Sequence, residues 1–249
     1  MKYLIAGNWK MNGTRALAEA LANGLVAKSG ISAAHADVVL CPPAPLLAIV
    51  AAAVGEGMIA LGGQDCHANE KGAHTGEISA ALLKDIGCGY VIVGHSERRA
   101  DHGETDAVVK AKAAGALKAG LAPIICVGET EAEREGGKTA AVIARQVKGS
   151  IPEDATAANA VIAYEPVWAI GTGKTATTDD IAAVHAQIRD VVTTAHPGIQ
   201  SAQLRILYGG SVKGSNAKAI LGTAGVNGAL VGGASLDLED FWKIISACP

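Results

Sequence analysis

Eight short aliphatic runs, spaced along a chain of 249 residues, constrain the fold more than any other feature. They cover residues 3–8, 37–41, 59–64, 90–94, 123–127, 161–164, 205–208 and 228–231. Most are continuously apolar and do not alternate, the pattern of strands buried on both faces of a parallel sheet. Glycine or polar punctuation and then a helical pattern follow each run. Leu17, Leu21 and Leu25 recur one turn apart, as do Ile181, Val184, Ile188 and Val191. The latter helix should open at Thr177, which has capping-box spacing to Asp180, and stop before Pro197. Aromatic residues are only 3% of the chain, so its core must be built from Ala, Val, Ile and Leu, and 31 glycines suit many tight strand-to-helix turns. Eight βα units with no Pro/Ser-rich linker predict one (β/α)8 barrel domain over residues 1–249. An open doubly wound sheet is the competing arrangement.

The net charge of −3, with no basic cluster, argues against nucleic acid or an anionic membrane as partner. The apolar stretch near Met1 is too brief for a signal-peptide core, and the run 48–54, closed by Glu56, is too short to span a bilayer. Five cysteines without CxxC spacing point to reduced thiols and a cytoplasmic protein. Cys66, His67 and His74 lack a zinc spacing, so no metal is expected. His35, His67, His74, His102, His185 and His196 read as structural or surface residues.

In such a barrel the chemistry sits where strands end. Lys10 follows the first run and would carry an ammonium group over the mouth, able to hold a phosphate dianion. His95 follows the fourth, with a helical turn expected from Ser96. A helix N-terminus disfavours imidazolium, so His95 should be neutral and able to donate its N–H to a substrate oxygen. Glu165 ends the sixth run, where desolvation should raise its pKa toward that of a useful general base. Pro166 stiffens the start of the following loop, and Gly171 and Gly173 let its far end bend, as a hinged lid requires. Gly173-Lys174-Thr175 resembles the end of a P-loop, but Trp168 stands where the first glycine belongs. Gly171-x-Gly173-x-x-Ala176 imitates a dinucleotide fingerprint but lies too far beyond its strand. Gly209-Gly210-Ser211 and Gly232-Gly233 follow the last two runs, the usual place for a barrel's phosphate site.

Taken together, these segments resemble the triosephosphate isomerase family. The likeness runs end to end, from Asn8-Trp9-Lys10 through Gly63-Gln64-Asp65, Gly94 to Arg99, Cys126 to Glu129 and the Glu165 lid to Tyr208-Gly209-Gly210-Ser211 and Gly232-Gly233. It implies interconversion of dihydroxyacetone phosphate and glyceraldehyde 3-phosphate through an enediolate, within glycolysis and gluconeogenesis. Glu165 would be the base, His95 the electrophile, and Asn8 and Lys10 substrate contacts. Gly171, Ser211, Gly232 and Gly233 would grip the phosphate through backbone N–H groups. Glu97 matches a carboxylate near Lys10 and His95. Tyr208 and Ser211 match residues that hold a closed lid, and Trp168 and Glu129 a pair that meets when it is open. Gly72 to Glu77 resembles the family's protruding dimer loop, on which Thr75 would reach a partner's active site; His74 stands where an aromatic such as Phe is common. No cofactor is expected, because the substrate carbonyl already acidifies the neighbouring proton.

Two other functions compete. A Schiff-base aldolase would need a buried lysine on a barrel strand. A non-enzymatic barrel should have lost a catalytic residue, and none is missing.

Overall fold

The computed structural model describes the whole chain except residues 33–35 and 172–173, so His35, Thr172 and Gly173 lie outside the described residues. Eight parallel strands close on themselves in chain order. They are β1 (Tyr3–Asn8), β2 (Ala36–Cys41), β3 (Ile59–Gly63), β4 (Cys88–Val93), β5 (Ala122–Val127), β6 (Val161–Tyr164), β7 (Arg205–Tyr208) and β8 (Gly228–Val231). Pairing of β1 with β8 completes the barrel and excludes the open sheet. The strands match the aliphatic runs to within two residues. β4 ends at Val93 because Gly94 turns into left-handed backbone at φ 67°.

The helices are α1 (Arg15–Ser32), α2 (Leu47–Val54), α3 (Ala80–Asp85), α4 (Ser96–Asp101), α5 (Asp106–Lys118), α6 (Glu131–Glu135), α7 (Thr139–Ser150), α8 (Thr178–Ala195), α9 (Ala217–Leu221) and α10 (Leu238–Ser246). The Thr177–Asp180 capping box opens α8 as the spacing predicts, and its last residue lies two before Pro197.

Two apolar compartments explain the continuous runs. Leu4, Ala6, Val39, Cys41, Ile92, Ile124, Cys126, Ala163, Leu207 and Leu230 fill the barrel interior. A larger cluster, including Ile5, Leu40, Val91, Ile125, Ile162 and Ile206, joins the outer strand faces to the helices. Side chains alternate in and out along each strand. Counting two residues onward from the interior residues Ala6, Ala163, Leu207 and Leu230 reaches Asn8, Glu165, Gly209 and Gly232, all at the C-terminal mouth. At the opposite end Arg205 closes the barrel through Asp37 (2.8 Å) and Tyr90 (3.1 Å).

Candidate active site

At the mouth, the chain turns sharply after β1. Lys10 has φ 53°, the one positive value at a non-glycine among the described residues. That conformation is strained for a lysine and persists only where the surroundings impose it. Its N–H donates to Asn8 Oδ1 at 3.0 Å, and Gln64 Nε2 donates to its carbonyl at 2.9 Å and to that of Cys41 at 2.9 Å. Lys10 Nζ is thereby placed 2.5 Å from Glu97 Oε1.

After β4, His95 is the N-cap of α4, so the helical turn begins at Ser96 as expected. His95 Nδ1 accepts the Glu97 N–H at 3.3 Å. In this conformation the ring proton therefore sits on Nε2, which lies 2.8 Å from Glu165 Oε1. Glu165 is 1% exposed and also accepts from Ser96 N (2.9 Å), Ser96 Oγ (3.3 Å) and the Cys126 thiol. Two of its neighbours must be glycine. A Cβ on Gly209 would lie 2.9 Å from Glu165 Cγ, and one on Gly128 would lie 1.7 Å from the Glu165 carbonyl oxygen.

This geometry changes the expected electrostatics of the resting site. Burial does push the Glu165 carboxyl up, but the His95 imidazole, the Ser96 N–H and the Cys126 thiol together hold it below the ordinary glutamate range. Burial likewise pulls His95 down, while the Glu165 and Glu97 carboxylates pull it up and prevail. The sequence alone points to desolvation as dominant at Glu165 and to the helix N-terminus as dominant at His95; that the two side chains meet is not visible there. Cys126 is fully buried with its thiol pushed well above the usual range, the opposite of a reactive thiolate.

Lys10, His95, Asn8, Gly171, Ser211, Gly232 and Gly233 line one cavity of about 410 Å³. Glu165 stands directly behind it, turned toward Ser96, and does not line it. Trp168 and Glu129 lie to one side. Glu129, fully buried, accepts from Trp168 Nε1 at 2.9 Å and from the Tyr164 hydroxyl at 3.1 Å, and the Arg134 guanidinium stacks over the Trp168 ring at 4.2 Å. Trp168 and Glu129 thus meet. Burial pushes the Tyr208 phenol up to about 12 despite a hydrogen bond with the Ala176 backbone. Residues 71–77, with Thr75 among them, are exposed, and His74 stacks on His67 with ring centroids 4.0 Å apart.

Among the described residues the strands carry no lysine, which the Schiff-base alternative would need. The buried Lys112 lies on α5, outside the barrel, held by Asp65 and Glu104. Among the described residues no group of three or more His, Cys, Asp or Glu gathers to hold a metal, and no helix is long and apolar enough to cross a membrane.

A family model described as triosephosphate isomerase matches residues 3–248. The chain belongs to the triosephosphate isomerase family. It is 56% identical to the triosephosphate isomerase of Rhodopseudomonas palustris (strain BisA53), with 100% of this chain and 98% of that protein covered. It is 55% identical to the enzyme of Xanthobacter flavus, over 98% of this chain and 96% of the relative. The crystal structure of triosephosphate isomerase from Bartonella henselae superposes with a TM-score of 0.90 at 46% identity, covering 99% of both chains. Triosephosphate isomerases interconvert dihydroxyacetone phosphate and glyceraldehyde 3-phosphate in glycolysis. Against that family, three side chains that support the site stand out as unassigned from sequence: Gln64 beneath Lys10, and Ser96 and Cys126 around Glu165. Strand parity is the signal that could have found two of them. Gln64 follows Gly62 and Cys126 follows Ile124 on the inward-facing positions.

Proposed function

We propose that this chain catalyses the triose phosphate isomerisation with Glu165 as the base. Its carboxylate removes the carbon-bound proton beside the substrate carbonyl. The charge that develops on the carbonyl oxygen is met by His95 Nε2–H and the Lys10 ammonium, with Asn8 holding the substrate and orienting Lys10. Glu165 then returns the proton to the adjacent carbon. Each preorganised donor at such an oxyanion contributes about 3–4 kcal/mol. When His95 turns its N–H from Glu165 to the substrate, the carboxylate loses an acceptor bond, and burial then makes it a stronger base. The backbone N–H groups of Gly171, Ser211, Gly232 and Gly233 would hold the phosphate. Lid closure, with Tyr208 and Ser211 as its latch and the Trp168–Glu129 bond released, would exclude water and so suppress loss of phosphate from the enediolate.

The observation that carries this reading is the single cavity of about 410 Å³ that gathers Lys10, His95 and all four phosphate-loop residues, with the Glu165 carboxylate 2.8 Å behind His95. A coupled assay with glyceraldehyde 3-phosphate tests it. Turnover should be fast and blocked by a phosphoglycolate-type inhibitor; absence of turnover by folded protein would defeat the proposal.

The protein would act as a cytoplasmic homodimer. Five unpaired cysteines support a reducing compartment. The exposed 71–77 loop supports a dimer in which Thr75 reaches the active site of the partner subunit, as does Met11, 96% exposed beside Lys10. Light scattering at micromolar concentration should give twice the chain mass.

A further inference from the structure

We propose that Arg99 is a positioning residue for the base, bridging the ends of β4 and β5 so that the groups donating to Glu165 stay in place. The inference rests on the assignment of Glu165 as base. The donors come from two different strand ends: His95 and Ser96 follow β4, and Cys126 lies on β5. Pairing of β4 with β5 ends at Val93 opposite Ile125, one residue short of both Gly94 and Cys126. There the Arg99 guanidinium takes over. Its Nε donates to the Gly94 carbonyl at 2.9 Å and its Nη2 to the Cys126 carbonyl at 3.2 Å.

These two carbonyls matter because of what they are joined to. The Gly94 carbonyl shares a peptide plane with the His95 nitrogen, so anchoring one orients the other. The Cys126 carbonyl shares its α-carbon with the thiol that bonds to Glu165. The fork is itself held from outside the barrel by Asp106 at 2.7 Å, at the start of α5, and by Ser150 Oγ at 3.1 Å, at the end of α7. Asp106 also faces Arg145 at 3.2 Å. The site needs a rigid planar fork with several donors; an ammonium on a flexible stem cannot reach both carbonyls and Asp106 at once.

Arg99→Lys keeps the charge opposite Asp106 and removes the bridge. It should lower kcat about 10- to 100-fold, the effect of misplacing reacting groups by an ångström or less, with KM within about twofold. With Ser96 and Cys126 less well aligned, Glu165 loses hydrogen bonds to its charged form, and the acid limb of the kcat/KM profile should move to higher pH. Arg145→Gln removes the other partner of Asp106 without touching either strand end, and should leave kcat and the acid limb unchanged. Asp106→Asn, which loosens the fork, should shift both in the direction of Arg99→Lys by a smaller amount, and it decides the matter if Arg99→Lys does not fold. Wild-type kcat and an unmoved acid limb in these variants, with only thermal stability lowered, would reduce Arg99 to a structural role. That result leaves the assignment of the base intact, whereas a wild-type chain lacking isomerase activity would remove the assignment itself.

Discussion

Replacing Glu165 with glutamine separates chemistry from folding at the centre of the proposed site. The side chain is 1% exposed, and the substitution preserves its shape, so no cavity forms. The carboxylate accepts from His95 Nε2 at 2.8 Å and Ser96 N at 2.9 Å. An amide has a single acceptor oxygen. If that oxygen faces Ser96 N–H, the amide NH2 faces His95 Nε2, which is itself a donor while Nδ1 takes the Glu97 N–H. One unsatisfied donor contact costs about 1–3 kcal/mol, partly offset because a charge is no longer buried. The variant should therefore fold, losing no more than about 2 kcal/mol in urea denaturation. Removing a general base should lower kcat about 10²- to 10⁴-fold, a barrier increase of about 2.7–5.4 kcal/mol. The coupled assay measures the second quantity, and calorimetric titration with a phosphoglycolate-type inhibitor should show binding retained. Glu165→Asp retains the base but withdraws it by a methylene, and about 10² in kcat should be lost. Turnover of Glu165→Gln within about tenfold of wild type would refute the assignment, because among the described residues no other buried carboxylate touches His95 Nε2.

Three further outcomes are expected. His95→Gln should lower kcat by about 10²-fold while weakening inhibitor binding far less, and equal losses in both would assign His95 to binding alone. Lys112→Met should destabilise the fold by about 3–5 kcal/mol in chemical denaturation, because Lys112 lies 2.7 Å from Asp65 and 2.6 Å from Glu104 and its loss leaves two adjacent carboxylates with only Arg98; a change below about 1 kcal/mol would refute a stabilising role for the network. His185 is buried as a neutral ring with its pKa depressed to about 4, chiefly by desolvation. Since the unfolded ring takes up its proton near pH 6.5, stability is complete above that pH and falls as pH drops toward 4, by about 2 kcal/mol between pH 7 and 5. Urea titrations across that range should show this loss, and His185→Gln should diminish it.

Much of this molecule is legible without coordinates. Eight short aliphatic runs, most of them continuously apolar, point to strands buried on both faces, and interleaved helices then leave a closed barrel or an open doubly wound sheet. The same runs put Asn8, Glu165 and Gly232 at or just past a strand end, and counting two residues onward from Ala6, Ala163 and Leu230 turns them toward the mouth, because side-chain alternation is a local property of the strand. Tertiary structure alone decided how those side chains affect one another. Lys10 adopts φ 53° because Asn8 and Gln64, 54 positions apart from it in the latter case, clamp its backbone. Glu165 and His95 sit lower and higher in pKa than burial alone would place them, because closing the barrel brings together residues 70 positions apart, and a contact at 2.8 Å outweighs the desolvation of each. Arg99 reads in sequence as one charge in a run of them, and acquires its place only where β4 and β5 part. Pattern and propensity act over a few residues and fix which faces are buried; Coulomb and hydrogen-bond energies depend on distances across the barrel, which exist only once the chain has closed.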